Sequence, residues 1–527
     1  MAEETTPRVV IVTGAAGGIG RALLAEFSAR GDRLIAVDVP GSDLADALAS
    51  LGARHHALEC DQSDEAQILA LYREIDALTD RVDVLVNNAA IGPTMAATTA
   101  TPLSEFRHSI RTNTVGPFVM AREAARRMHE GGVVVNTASL AGVLGNPCRN
   151  AYAASKAALI SLTKSLACEW AGRGIRVVAT APGYVRTPMV AALEQEGKAD
   201  MAAVRRRIPM GRLGRPDEIA AVAGFLASGD ARYITGSVVA ADGGWMSFNQ
   251  PGHAFPHVEG TPEEELGPGC FSDAPRVVVV TGAANGLGRA IAARFVAGGD
   301  HVVYADKDAS GIAKLTSELG GDHTALELDV TSEASVAAAF AAIAERYGHI
   351  DILVNNAAIA DVFQPATEQD TADLERVLDV NLTGAFDCTK AAVGLMKGRR
   401  GRIINLGSIN TFLPFAPRHA YGASKASIDI LTRCMAAELG PQGIQTATIA
   451  PGYCRTPGVA ALEREGRIGT DAIRRRIPMG DMGRPEDIAG AAWFLGSPGA
   501  SYINGSILYV DGGWTSFGNA GDASEQA

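Results

Sequence analysis

The chain is written twice. Gly14 matches Gly282, Asp38 matches Asp306, Asp61 matches Asp329, Asn87 matches Asn355 and Asn113 matches Asn381, all at an offset of 268 residues. One net insertion near Lys397 to Arg402 moves the offset to 269. The register then holds for Ser139 with Ser408, Tyr152 with Tyr421, Pro182 with Pro451 and Asp242 with Asp511. Register kept over about 240 residues means one folding unit, duplicated. At 527 residues the chain also exceeds what a single hydrophobic core supports. It divides into a first unit over 1–248, a linker rich in Pro, Gly and Glu over 249–274, a second unit over 275–518 and a tail over 519–527.

Within each unit, short apolar runs alternate with longer helical patterns. In the first half the runs are Val9–Val12, Leu34–Val37, Val82–Val86, Val133–Asn136 and Ile175–Ala179. Runs of four or five apolar residues without strict alternation suit strands covered on both faces, and strands spaced by helices form parallel sheets. Each half is therefore expected to be a doubly wound α/β domain of Rossmann type, with helices on both faces of a parallel sheet.

The first run leads straight into Thr13-Gly-Ala-Ala-Gly-Gly-Ile-Gly20, and its counterpart leads into Thr281-Gly-Ala-Ala-Asn-Gly-Leu-Gly288. Gly14, Gly18 and Gly20 permit a tight turn and close backbone approach. The helix that follows aims its free N–H groups at a pyrophosphate. Gly14, Gly18, Ile19 and Gly20, with Gly282, Gly286, Leu287 and Gly288, are thus candidate dinucleotide-binding residues. Asp38 and Asp306 end the next strand, where a carboxylate accepts hydrogen bonds from ribose hydroxyls and repels a 2′-phosphate. NAD is favoured over NADP, more firmly in the first half, because Lys307 directly follows Asp306.

Each half also carries a tyrosine and a lysine four residues apart, in Tyr152-Ala-Ala-Ser-Lys156 and Tyr421-Gly-Ala-Ser-Lys425, with Ser139 and Ser408 thirteen residues before the tyrosine. On a helix the two side chains share a face, so an ammonium can stabilise the phenol's anion. A free phenol is ionised only to about one part in a thousand at pH 7, and lowering its pKa by ~2–3 units corresponds to ~3–4 kcal/mol. Tyr152 and Tyr421 are therefore candidate general acid/base groups.

The glycine-rich turn, Asn87-Asn88-Ala89 with Asn355-Asn356-Ala357, the serine and the YxxSK stretch together resemble the short-chain dehydrogenase/reductase family over essentially the whole of both halves. The resemblance implies one catalytic set of Asn113, Ser139, Tyr152 and Lys156 and a second of Asn381, Ser408, Tyr421 and Lys425. In it the serine polarises the substrate oxygen, and the asparagine holds a water between lysine and solvent. It further implies Asp61 and Asp329 near the adenine, Asn88 and Asn356 at the cofactor, and Thr187 and Thr456 on the nicotinamide carboxamide. Ala90 and Ala358 depart from the family's glycine after Asn-Asn-Ala, which adds only a methyl group. The enoyl-reductase branch spaces its tyrosine and lysine more widely, so a secondary alcohol and its ketone are the expected pair. A polyol, sugar alcohol, cyclic alcohol or hydroxy acid is the expected substrate class. A 3-oxoacyl-thioester reductase is one alternative, and a repeat kept only for dinucleotide binding is another.

After the catalytic serine the halves differ. Phe412 and Phe415 give the second pocket more aromatic surface than Gly142 and Asn146 give the first. Arg149 and Arg418, three residues before the tyrosine, are candidates to clamp an anionic substrate group. The similar segments Met189–Met210 and Gly458–Met479 are, by resemblance, lids over the site.

A net charge of -12 offers no broad positive field, so nucleic acid is not an expected partner. Seven scattered cysteines without a CxxC pair call for neither metal nor disulfides and suit the cytoplasm. No apolar run approaches the ~18 residues of a membrane span. The helix that starts at Tyr152 is apolar around most of its circumference, which predicts burial on two sides. The resemblance then implies a homodimer of tandem chains, forming a pseudo-tetramer through this helix. A compact monomer with paired halves is the alternative.

Overall fold

Valine- and isoleucine-rich runs become the central strands of two sheets in the computed structural model, which describes residues 7–523 apart from 53, 94, 146, 198–199, 257–259, 266–274, 362, 414–416, 467 and 520. Asn146 and Phe415 lie outside the described residues. In the first half the strands are β1 (Val9–Thr13), β2 (Arg33–Asp38), β3 (His56–Glu59), β4 (Val84–Asn87), β5 (Val133–Thr137), β6 (Arg176–Pro182) and β7 (Val238–Ala241). The second half repeats them as β8 (Val277–Thr281), β9 (His301–Asp306), β10 (Thr324–Glu327), β11 (Ile352–Asn355), β12 (Arg402–Leu406), β13 (Gln445–Pro451) and β14 (Ser506–Val510). Each sheet is parallel and runs 3-2-1-4-5-6-7 or its equivalent, with helices on both faces. Every residue of β1, β5 and β6 is buried, as expected of strands covered on both sides. The strand order reverses between β1 and β4, so the glycine-rich turn and the Asn87-Asn88 corner open into one crevice.

A buried polar ladder fixes the helix that carries the tyrosine. Asn87 Nδ2 donates to Asn136 Oδ1 at 2.9 Å, and Asn136 Nδ2 donates to Thr163 Oγ1 at 2.9 Å on the Asn150–Trp170 helix. Asn355, Asn405 and Thr432 repeat it. Apolar substitutes would pack in this interior without choosing a register, whereas the paired amides choose one.

The two halves are joined by a pseudo-two-fold interface. Ser237 donates to the Tyr509 carbonyl at 2.7 Å, and its counterpart Ser506 donates to the Ala240 carbonyl at 2.7 Å. Phe225 and Phe494 stack face to face with centroids 3.9 Å apart. Tyr502 fills the space beside Gly214 and donates to the Tyr184 carbonyl at 3.2 Å. Tyr233 does the same beside Gly483 and donates to the Asp481 carbonyl at 2.9 Å. One hydrophobic cluster therefore runs through both halves, while the opposite face of each sheet has a cluster of its own. The contact uses β7, β14 and the helices Pro216–Leu226 and Pro485–Leu495. The tyrosine-bearing helix, expected to lie against a neighbouring unit, leaves Ala154, Ala157 and Ser161 exposed in mid-length.

The linker is more than a spacer. Ala254 and Phe255 donate their N–H groups to the Arg206 carbonyl, and a short helix over Pro262–Glu265 brings Glu263 and Glu264 onto Arg205 and Arg186. Glu263 is fully buried against Arg205, and Arg205 also meets Glu194 at 2.6 Å. Arg186 joins the cluster through Glu264 at 2.7 Å and through Glu194.

Candidate active site

The glycine-rich turn has the shape of a cradle. Gly14 adopts φ +64°, in the left-handed region, and a Cβ there would lie 2.7 Å from Ala89 Cα. A Cβ on Gly20 would fall on the Gly14 carbonyl oxygen, so this glycine lets the Gly18–Ala29 helix close on the turn. Gly18 faces Thr187 and Pro188 at the start of the Pro188–Gln195 helix, where a Cβ would stand 2.8 Å from Pro188 Cδ. Thr187 and Thr456 cap the Pro188–Gln195 and Pro457–Arg464 helices, accepting from Val190 and Val459 N–H at 3.3 Å. Gly282 and Gly288 repeat the tight approaches. These close approaches hold the turn against the start of the Gly18–Ala29 helix, whose first N–H groups lack intrahelical partners and fit a pyrophosphate.

The carboxylates at the strand ends brace this cradle. Asp38 Oδ2 accepts the Ala16 N–H at 2.8 Å and Oδ1 accepts the Val39 N–H at 2.8 Å; Asp306 does likewise with Ala284 at 2.9 Å and Asp308 at 3.0 Å. Each carboxylate keeps lone pairs for ribose hydroxyls. Asp61 accepts the Ser63 N–H at 2.9 Å, and Asp329 accepts the Thr331 N–H at 3.0 Å. Asn88 Nδ2 bonds the Thr13 and Gly14 carbonyls at 3.0 and 3.1 Å, as Asn356 does with Thr281 and Gly282 at 2.9 and 3.0 Å. These amides therefore hold the turn from behind. Ala90 and Ala358 are exposed, so their methyl groups crowd nothing.

Beyond the cradle, each tyrosine, lysine, serine and asparagine converge. Lys156 Nζ lies 5.8 Å from the Tyr152 ring centroid and donates to the Thr137 carbonyl at 2.7 Å. Lys425 Nζ lies 5.6 Å from the Tyr421 ring and donates to the Leu406 carbonyl at 2.7 Å. The Ser139 and Ser408 hydroxyls stand beside the phenols and favour their anions. Asn113 is wholly buried in an irregular helical turn. Its Oδ1 accepts the Ile91 N–H at 2.9 Å, and its Nδ2 donates to the Ile91 carbonyl at 3.1 Å and to Ser155 Oγ at 3.2 Å. Asn381 repeats this with Ile359 and Ser424.

The protein's own groups set a charge balance to which the expected lysine and nicotinamide attraction would add. Burial is the largest influence and raises both tyrosines. The serine hydroxyl and the Arg149 charge oppose it at Tyr152, and the Arg418 charge and the serine hydroxyl oppose it at Tyr421. Each lysine amine is turned toward a carbonyl, and burial holds it down at about 8. A positively charged ring bound beside the phenol would supply the attraction that burial removes.

Sequence reasoning missed several participants. Ser155 and Ser424, inside the YxxSK stretch, donate to the Tyr152 and Tyr421 carbonyls at 2.8 Å and accept from the asparagine. Their place in the motif was the available signal. The lysine-binding carbonyls carry no side-chain signature. Asp361, which binds Arg418, was visible only as a mismatch with Pro93 between the halves.

No helix among the described residues is long and apolar enough to cross a membrane, and no group of three His, Cys, Asp or Glu among them could hold a metal ion. A family model described as enoyl-(acyl carrier protein) reductase matches residues 14–246 and again 282–515. An uncharacterized short-chain type dehydrogenase/reductase of Sinorhizobium fredii is 52% identical over 98% of this chain and 94% of its own length. A 3beta-hydroxysteroid dehydrogenase of Eggerthella lenta is 40% identical, spanning 46% of this chain and 94% of its own. The cis-4-hydroxycyclohexanecarboxylate dehydrogenase of Sinomonas cyclohexanicum is 40% identical, spanning 46% of this chain and 97% of its own. With two glycine-rich cradles, two YxxSK helices and these matches, the chain belongs to the short-chain dehydrogenase/reductase family of oxidoreductases, as two units in tandem.

Proposed function

We propose that each half interconverts a secondary alcohol and its ketone with NAD, using Tyr152 and Tyr421 as general acid/base groups. The observation that carries this reading is the convergence, in both halves, of a buried tyrosine, a lysine on the same helical face and a serine hydroxyl at the end of the dinucleotide crevice. Gly14, Gly18, Gly20 and Asp38, with Gly282, Gly286, Gly288 and Asp306, would hold the coenzyme. Bound there, the coenzyme would supply the hydride acceptor for the alcohol carbon. The phenolate takes the hydroxyl proton, and the serine hydroxyl donates to the oxygen as it becomes a carbonyl. Asn113 and Asn381 support a proton path from the lysine through their hold on the Ile91 and Ile359 backbone.

The carboxylates of Asp38 and Asp306 favour NAD over NADP, since a 2′-phosphate beside either would meet like charge. Polyols, cyclic alcohols and hydroxy acids are the substrate class, in keeping with relatives named for a hydroxysteroid and a hydroxycyclohexanecarboxylate. Cysteines that are all free among the described residues suit the reducing cytoplasm. The exposed small residues of the catalytic helices, Ala154, Ala157 and Ser161 with Ala423 in the repeat, allow close helix approach and suit pairing of two chains into a pseudo-tetramer.

The test is an NAD-reduction screen over secondary alcohols with the parent, Tyr152→Phe, Tyr421→Phe and the double variant. Each single variant is expected to lose one site's activity and the double variant both. Full activity in the double variant would overturn the reading.

A further inference from the structure

The two sites differ by one charge. Arg149 and Arg418 stand at corresponding positions, at the start of the catalytic helix. In the second half Asp361, with a side chain only 2% exposed, accepts from Arg418 Nε at 3.3 Å. Its other oxygen accepts the Tyr421 N–H at 3.0 Å. The Arg418 guanidinium is also stacked 4.2 Å from the Tyr421 ring centroid and 5.2 Å from that of Phe363. A carboxylate anchored by a backbone donor thus pairs with this cation and fixes its plane, while the guanidinium charge still reaches the Tyr421 phenol.

At the matching place the first half has Pro93, which offers neither charge nor a side-chain acceptor. Arg149 is half-buried and forms no ion pair among the described residues. Its charge reaches the Tyr152 phenol and pulls that group's pKa down against burial. The cation therefore lies near the place where a substrate hydroxyl must arrive. Met95, Val143 and Leu144, in loops of the same unit, are exposed apolar side chains. A cation without a carboxylate partner selects a substrate that carries a negative group.

We propose that the first site takes an alcohol or ketone bearing a carboxylate or similar oxyanion, held by Arg149, whereas the second takes a neutral one because Asp361 already occupies Arg418. The inference rests on the dehydrogenase reading above and adds to it a division of substrate charge between the halves.

The test uses full chains with one working site, Tyr421→Phe for the first and Tyr152→Phe for the second, assayed on 4-hydroxycyclohexanecarboxylate and its neutral carboxamide. In the first-site chain the carboxylate is expected to be preferred by about tenfold or more in kcat/KM, the scale of one charged hydrogen-bonded pair. Arg149→Gln should erase that preference by raising the KM of the carboxylate alone, while the loss of its charge beside Tyr152 moves kcat for both compounds alike; a merely structural role would move both KM values together. In the second-site chain the carboxamide should be preferred. Asp361→Asn, which keeps an acceptor for the Tyr421 N–H and frees Arg418, should shift the preference toward the carboxylate. Equal preference in the two single-site chains, or an Arg149→Gln variant that still favours the carboxylate, overturns the proposal. If neither compound is turned over, the same comparison is read by ligand-detected NMR binding to the NAD-loaded parent and Arg149→Gln chains, where equal carboxylate affinity overturns it. Absence of NAD reduction with every alcohol of the wider screen would instead overturn the dehydrogenase reading.

Discussion

Glu263→Gln removes one charge from the cluster that fastens the linker to the first lid. Glu263 has no exposed surface and takes Arg205 at two points, Nη2 to Oε1 at 2.5 Å and Nε to Oε2 at 3.2 Å. Breaking a buried pair costs ~3–5 kcal/mol when the surviving charge is stranded. Arg205 would keep Glu194 at 2.6 Å, so the charge is partly compensated and the expected cost is nearer ~2–3 kcal/mol. The loss falls on linker docking and leaves the sheet intact. The lid should therefore open locally ~30- to 150-fold more often. Amide hydrogen exchange reads this directly: protection over residues 186–207 should fall by that factor. The matching residues 455–476 should be unaffected, since Arg474 there meets Asp481 at 3.2 Å and Asp471 at 3.7 Å. Unchanged protection over 186–207, or an equal loss in both lids, would refute the argument that the linker clamps one lid selectively.

Gly20→Ala places a methyl group against the Gly14 carbonyl and should abolish NADH binding in the first half, so that fluorescence titration finds only the second site. Asp38→Ser removes the charge that opposes a 2′-phosphate; the NADP-to-NAD ratio of kcat/KM in a first-site chain should rise by about tenfold or more. Tyr502→Phe loses the hydrogen bonds to Tyr184 and Arg212 and should cost ~1 kcal/mol, whereas Tyr502→Ala empties the pocket beside Gly214 and should cost ~3–5 kcal/mol, both measured by chemical unfolding. Burial holds Lys156 and Lys425 down at about 8, against 10.5 for a free lysine. The unfolded chain then binds more protons between these values, and stability from these groups rises with pH across that window. Compared with Lys156→Met/Lys425→Met, the parent should gain ~2 kcal/mol per lysine between about pH 8 and 9.5, and a constant difference would contradict this.

The central strands were legible because burial on both faces demands unbroken apolar runs. The edge strand β3, His56–Glu59, alternates between half-buried and exposed positions and gave no such run, while β7 is only four residues long. The glycine turn and the YxxSK helix were legible because each residue's role there is set by neighbours within one turn or one helical step. Glu263 was read as part of a charged, proline-rich linker, since nothing near it in sequence announces Arg205. The expected lowering of the tyrosine's pKa rested on the lysine and a bound, positively charged nicotinamide ring; burial, which opposes both, has no signature in the spacing of the motif.

From the amino-acid order alone came the duplication, the parallel sheets, the family and the residues that meet in each crevice, because local spacing and repeat register are one-dimensional properties. The pairing of the halves through Tyr233 and Tyr502, the clamped first lid, and the pairing of Arg418 but not Arg149 with a carboxylate were decided by contacts between residues distant in sequence. Charge balance and packing depend on which groups are brought within a few ångströms, and only the folded chain determines that.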